Sequence, residues 1–187
     1  MFAAEAGFDL VGESRRFSVT TFRNDITDLI TNVTLSTTPT LTTRERRNAA
    51  SAVTHGIEAT MRQSWRHWNG ELGYLFADSR YATGLRIPQV AKQQGSATLS
   101  WSRSTTFLSG GLRAYSLQFE DDLNTLPLAG YSTIQVSARQ KIVKSLSAKF
   151  EMENSLGHQY LTGRTPAPQI GAPRLFRVGL IWDGPVR

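Results

Sequence analysis

Apolar side chains recur at every second position in segment after segment of this chain, a spacing that only an extended strand sorts onto one face. Within residues 95–103, Ala97, Leu99 and Trp101 alternate with Ser96, Thr98, Ser100 and Ser102. Residues 146–153 set Leu146, Ala148, Phe150 and Met152 against Ser147, Lys149, Glu151 and Glu153. Residues 131–142 place Ile134, Val136 and Ala138 opposite Thr133, Gln135, Ser137 and Arg139. Residues 53–65 place Val53, Ile57, Ala59, Met61 and Trp65 opposite Thr54, Glu58, Thr60 and Arg62. Weaker alternation runs through 17–23, 71–81, 106–121 and 174–182, with a first strand near 6–11. The chain is therefore all-β, with about nine strands of a length that suits tilted membrane-barrel strands. No useful helical period and no solenoid repeat competes with this reading.

The connections predict hairpins in sequence order. Short ones fall at 13–15, 66–70, 103–105 and 144–145, where Gly, Asn and Ser favour reversal. Long ones fall at 24–48, 81–94, 120–130 and 157–173, and they hold every proline except Pro185. Short loops at one end and long loops at the other are the arrangement of an outer-membrane barrel. No run approaches the roughly 18 apolar residues of a membrane-spanning helix, which excludes a helical membrane protein and leaves a barrel open. Hydrophobic residues are 40% and charged residues 19%, both below soluble averages, because hydroxyl and amide side chains take their place. The absence of cysteine removes disulfide frameworks, thiolate metal sites and cysteine nucleophiles. The formal charge of +6 permits nucleic-acid binding only if cations cluster. The one tight group, Arg44, Arg46 and Arg47, is broken by Glu45 and has no aromatic platform, so it reads as loop and no nucleic-acid partner is expected.

Alternation alone also fits a soluble β-sandwich with a dry core. The aromatics favour the barrel. Trp65, Trp68, Tyr74, Phe76, Trp101, Tyr115, Phe119, Tyr160 and Trp182 lie at or near strand ends, where girdle residues seat a ring in lipid and a polar tip at the headgroups. Of these, Trp65, Trp68, Tyr74, Trp101, Tyr160 and Trp182 are the candidate membrane girdle. Apolar positions between them are small or medium, such as Ala59, Ala97, Ala114, Ala138, Ala148 and Gly179, which suits a wall against fluid lipid better than an interlocked core.

The segment Phe22-Arg23-Asn24-Asp25-Ile26-Thr27-Asp28-Leu29-Ile30, followed by Arg47-Asn48-Ala49 and Gly56-Ile57-Glu58, resembles the strand, loop and strand late in TonB-dependent receptor barrels. Arg113 with Gln118-Phe119-Glu120-Asp121-Asp122-Leu123-Asn124 is similar to that family's closing hairpins. So are Glu153-Asn154-Ser155-Leu156-Gly157 with Tyr160, and Gly171-Ala172-Pro173-Arg174 running into Arg177-Val178-Gly179-Leu180-Ile181-Trp182, all in the family's order. The resemblance implies a barrel of about 22 strands with a plugged lumen, in the outer membrane of a Gram-negative-type envelope. It further implies uptake of a large scarce ligand such as a siderophore, cobalamin or glycan, driven by TonB contact with an N-terminal box. On that reading residues 1–187 are one partial barrel domain, the C-terminal section of the wall. Its partners are outer-membrane lipid, a plug and N-terminal strands outside this sequence, the TonB complex, and an extracellular ligand that the residues do not specify. Residues 1–5 lack a secretory signal, which implies either a cytoplasmic protein or a missing beginning. About nine strands cannot close a barrel of the usual even-numbered type, so Met1 reads as an internal residue or a spurious start. The five residues after Trp182 depart from the family's habit of ending on the last strand's aromatic.

Catalytic and metal readings are weak. His55, His67 and His158 sit on separate segments without carboxylates at ligand spacing. Ser155, His158 and Asp121 or Asp122 show no triad geometry. The run Glu120-Asp121-Asp122 with Asn124 lacks the density of a calcium loop and reads as solvated loop. The expectation is a protein that is not an enzyme and has no cofactor or metal. Glu58, Arg62, Arg113, Arg139, Lys149, Glu151 and Glu153 fall on the inferred inner face and are the candidates for plug or solute contact, with cross-strand pairing their simplest role. Two alternatives stand beside this: a small self-contained outer-membrane barrel, porin or adhesin, and a soluble β-sandwich binding module.

Overall fold

Nine of the strands pair antiparallel in one sheet, each with its neighbour in the chain once the loop strands are set aside. The computed structural model describes residues 1–38 and 41–184, with backbone alone at Thr37, Ala49 and Ala50; Pro39 and the tail residues Pro185, Val186 and Arg187 lie outside the described residues. The strands of the sheet are β1 (Phe2–Val11), β2 (Arg15–Thr37), β3 (Thr42–Trp65), β4 (Trp68–Tyr81), β5 (Gln93–Arg103), β6 (Thr106–Tyr115), β9 (Tyr131–Val143), β10 (Leu146–Glu153) and β13 (Leu175–Trp182), in that order. The connection from β6 to β9 folds back as β7 (Gln118–Phe119) on β8 (Pro127–Leu128), and that from β10 to β13 as β11 (Leu161–Gly163) on β12 (Gln169–Ile170).

Register turns sequence alternation into two distinct faces. One row across seven strands runs Leu10, Phe17, Met61, Leu72, Ala97, Leu112, Ile134, all apolar. The row beside it, on the other face, runs Val11, Arg16, Arg62, Glu71, Thr98, Gly111, Gln135. A one-residue slip in any strand would exchange these faces, so the pattern pins the register.

The apolar face has no second layer against it. The chain exposes 12766 Å², whereas a compact chain of this size would expose about 8,900 Å². Phe8, Leu72, Leu99, Leu180 and Val178 are among the exposed large apolar residues, the last at 82%. A β-sandwich would have buried them, so that alternative is overturned. Among the described residues β1 and β13 do not pair with each other, so the sheet is open.

Short turns occupy one end and long connections the other, as the spacing predicts. Arg66-His67 and Ser104-Thr105 close two-residue hairpins, with φ of 52° at Arg66 and 51° at Ser104. Such positive φ matches the turn to the twist of the flanking strands. Trp68, Asn69 and Gly70, expected in a turn, belong to β4.

The expected long loop at 24–48 is instead mostly strand. β4 leaves the ladder at Tyr81, opposite Ala52, and β2 and β3 continue as a two-stranded arm through pairs such as Thr31 with Arg47 and Val33 with Glu45. Thr and Val favour extension in this arm. Its ladder is interrupted near Ile26 and Leu29, where Asp28 takes φ 58°. Beyond the apolar band the arm meets water and polar loop groups such as Asp122, not an apolar medium, so strand pairing there needs no alternation and leaves no periodic signal.

Candidate functional site

Loops at the long-connection end supply nearly all the tight packing in the molecule. Ala52 within β3 and Ala77, Ser79 and Tyr81 toward the end of β4, with Ala91, Asp121, Leu128 and Asn154 in the connections, are buried; Ser147, Gly56 and Gly111 are buried elsewhere in the sheet. Carboxylates hold this cluster together. Glu120 accepts from the backbone N–H groups of Arg164 and Thr165, the latter at 2.9 Å, and from the Thr165 hydroxyl. Asp122 accepts from the Thr34 N–H at 3.0 Å and its hydroxyl at 2.6 Å, which ties the β2–β3 arm to the β6–β9 connection. Asn124 exchanges two bonds with the backbone of Arg86, at 2.7 and 2.9 Å, and so joins the β4–β5 connection to the same unit.

Asp121 closes its own loop, accepting from Thr125 N–H at 3.0 Å, Thr125 hydroxyl at 2.7 Å and Leu126 N–H at 2.7 Å. Burial pushes its carboxyl up, but those donors outweigh burial and hold it below the ordinary 3.8. A depressed carboxyl contributes stability above its unfolded value and loses it as pH falls through the folded value. Protection from hydrogen exchange at residues 118–128, taken relative to the intrinsic amide rate at each pH, should therefore be high at neutral pH and fall only below the ordinary carboxylate range, and Asp121→Asn should remove that fall. The acidic run, read from sequence as a solvated loop, is instead a set of clamps, because each carboxylate meets N–H and hydroxyl donors from a different turn.

Between the arm and these loops lies a cavity of about 410 Å³, whose lining includes Thr31, Arg44, Tyr81, Gln89, Asp122 and Thr165. Thr31 and Tyr81 share a hydroxyl hydrogen bond of 2.9 Å. Arg44 donates from Nη1 to the Thr165 hydroxyl at 3.3 Å, while its Nη2 is enclosed and has no acceptor among the described residues. An enclosed guanidinium N–H without a partner is a costly donor that an oxygen-bearing ligand can satisfy.

The seven charged residues singled out by alternation all lie on the polar face. Arg62 pairs with Glu71 on β4 at 3.1 Å, Lys149 with Glu151 at 2.7 Å, Arg139 with Asp183 at 3.1 Å, and Glu153 with Arg177 on β13. Glu58 and Arg113 make no ion pair among the described residues and line an open hollow with Glu71, Gln94, Ser96 and Tyr115. Sequence reading missed Glu71, Arg177 and Asp183 as partners, because pairing depends on which strands become neighbours.

The aromatics divide between two places. Trp65, Trp68, Trp101 and Trp182 stand on the apolar face near the short turns, and Tyr74 stands higher on the same face. Tyr160 lies off the sheet, in the β10–β13 connection, with its ring 3.9 Å from Tyr131 in a stack that continues to Tyr115 at 5.0 Å. Tyr115 and Tyr131 are register partners on the polar face, so Tyr160 packs inward against them rather than outward. Phe119 belongs to β7 in a loop, beneath the Arg86 guanidinium at 5.5 Å. His158 is held through its backbone by Asn154, and none of the hydrogen bonds of Ser155 or His158 reaches Asp121 or Asp122.

On β4 the apolar face runs through Trp68, Gly70, Leu72, Tyr74 and Phe76 before Asp78, which pairs with Arg80 and Lys92, each at 3.0 Å. That apolar stretch is about 27 Å along a strand. Tilted by about 40°, it spans roughly 20 Å, close to the roughly 25 Å apolar band of a membrane barrel.

A family model described as TonB dependent receptor-like, beta-barrel matches residues 2–155. A search of curated proteins returns no match. Among solved structures, the ferric yersiniabactin uptake receptor of Yersinia pestis superposes with a TM-score of 0.82 at 16% identity, over 97% of this chain and 29% of that one. The siderophore receptor PiuA of Acinetobacter baumannii gives 0.76 at 15% identity, over 96% of this chain and 28% of that one. A copper transporter, OprC, gives 0.78 at 11% identity, over 96% and 30%. This chain thus spans less than a third of the length of the structures it resembles.

Proposed function

The chain belongs to the TonB-dependent receptor-like β-barrel family, and from that premise we propose that residues 1–187 form one partial barrel domain, a section of wall in an outer-membrane transporter for a large ligand. The observation that carries this reading is the exposed apolar face, assembled by register from every strand of the sheet and bounded by Trp residues and charges. The opposite face, with Glu58, Arg62, Arg113, Arg139, Lys149, Glu151 and Glu153, faces the lumen and contacts a plug or the passing solute. Trp65, Trp68, Tyr74, Trp101 and Trp182 serve as outward aromatic anchors. Free edges at β1 and β13 would leave backbone groups unsatisfied in lipid at several kcal/mol each, so further strands must close the barrel. A plug and contact with the TonB complex complete the transporter in this reading. Its role is transport rather than catalysis.

The ferric yersiniabactin uptake receptor and the siderophore receptor among the structural neighbours favour a ferric siderophore over cobalamin or a glycan as the ligand. The enclosed Arg44 Nη2 beside the loop cavity suits the oxygen-rich surface of such a complex. Uptake of a panel of labelled ferric siderophores and cobalamin should depend on this gene and on an energised inner membrane for at least one compound. Arg44→Ala should then weaken that compound's binding by about tenfold, the value of one charged hydrogen bond. Uptake of every compound by a deletion strain at the wild-type rate would overturn the transport reading.

A further inference from the structure

On the outward face, next to the short turns, lies a groove of about 670 Å³ walled by Trp68, Leu99, Trp101, Leu108, Val136 and Phe150. Its floor is Gly110, which pairs with Leu99 on β5 and Val136 on β9. A Cβ at Gly110 would meet nothing within 4 Å, so the groove lies where this glycine leaves the apolar wall without a side chain. Trp68 and Trp101, with ring centroids 6.5 Å apart, mark its end nearest the turns.

Two positions beyond Trp101 on the same face, Arg103 stands exposed at the end of β5. The rim there is cationic. Arg15, Arg66, Arg103, Lys141 and Lys144 all lie at short hairpins, and among the described residues none has a carboxylate within 4 Å. Among the described residues the acidic side chains near this rim include Glu13, Asp9, which pairs with Arg16, Glu71, which pairs with Arg62, and Asp183, which pairs with Arg139.

We propose that this groove binds one anionic phospholipid of the leaflet at the short-turn end, an acyl chain lying over Gly110 and the phosphate on the Arg103 guanidinium. The groove supplies apolar walls along one chain length and the rim supplies an unpaired cation where a headgroup ends, a charge match that a second copy of the same cationic rim would not provide. Guanidinium and phosphate form paired, charge-assisted hydrogen bonds. The inference rests on the reading of this face as membrane-facing.

The test is native mass spectrometry of the protein purified from membranes in mild detergent, titrated with phosphatidylglycerol and phosphatidylcholine of identical acyl chains. One phosphatidylglycerol should bind with about fivefold preference, the weight of one basic residue at a lipid surface. Arg103→Gln should erase that preference and leave phosphatidylcholine binding unchanged, and Gly110→Leu should reduce both. Quenching of Trp68 and Trp101 by brominated phosphatidylglycerol, stronger than by brominated phosphatidylcholine, checks the same point in the unaltered protein if a variant fails to assemble. Equal affinity for the two lipids, variants that behave as wild type, or a lipid-excluding dimer through this face would overturn the lipid site while the barrel stands. Extraction from cells without detergent would overturn both.

Discussion

Leu99→Arg should abolish assembly into membranes, whereas Thr98→Arg, one residue away, should be tolerated. Leu99 lies midway along β5 on the apolar face, 53% exposed, between Gly70 and Gly110 on the neighbouring strands. An arginine at the midplane of a membrane barrel costs about 2 to 4 kcal/mol, which exceeds what neighbouring contacts recover. Thr98 points the other way, in the row of Arg62 and Glu71, where a guanidinium meets water and a carboxylate. Phe150→Arg on β10 should behave as Leu99→Arg does, because Phe150 shares the apolar face. Membrane fractionation with protease protection of the assembled form reads the result. Normal assembly of both arginine variants on the apolar face would reverse the assignment of faces and with it the functional reading.

Gly56→Ala should destabilise the sheet by about 3 kcal/mol, the upper end for overpacking. The added Cβ would collide with the Phe76 carbonyl oxygen and sit 2.8 Å from Cζ of Phe22, and the first of these is backbone that cannot step aside. Gly56 pairs with Phe22 on β2 and Ala77 on β4, so the Phe22 ring occupies the space that a side chain at 56 would need. Gly179→Ala is the control, since nothing lies within 4 Å of its added Cβ. Urea unfolding in detergent should separate the two, with the midpoint of Gly56→Ala falling and that of Gly179→Ala staying. Equal midpoints would mean that β3 and β4 approach less closely at Gly56 than the structure places them.

The sheet was legible in the chain wherever one face meets an apolar medium. Leu146–Glu153 appears with the same bounds in sequence and structure, because four apolar residues there alternate without a break. The extension of β2 and β3 past Asn24 and Asn48 was not legible. Both faces of that arm lie beyond the apolar band, and pairs such as Thr34 with Arg44 hold the backbone without sorting side chains by polarity. The clamps were hidden for a related reason. Glu120, Asp121 and Asp122 look alike in sequence, yet each finds donors on a different segment, at Thr165, Thr125 and Thr34. Tyr160 carried the composition of a girdle residue but is placed by its stack on Tyr131, a contact between a loop and the polar face.

What the sequence determined by itself was local and periodic: strand existence, the sorting of residues onto two faces, hairpin order and the end that carries the long loops. Each depends on neighbours one or two positions apart, which the chain states directly. Tertiary structure alone decided which charges pair, where the carboxylate clamps close, that among the described residues Arg44 Nη2 has no acceptor beside a cavity, and that Gly110 opens a groove in the apolar wall. Those features depend on register between strands and on contacts between loops distant in sequence, and no local pattern specifies either.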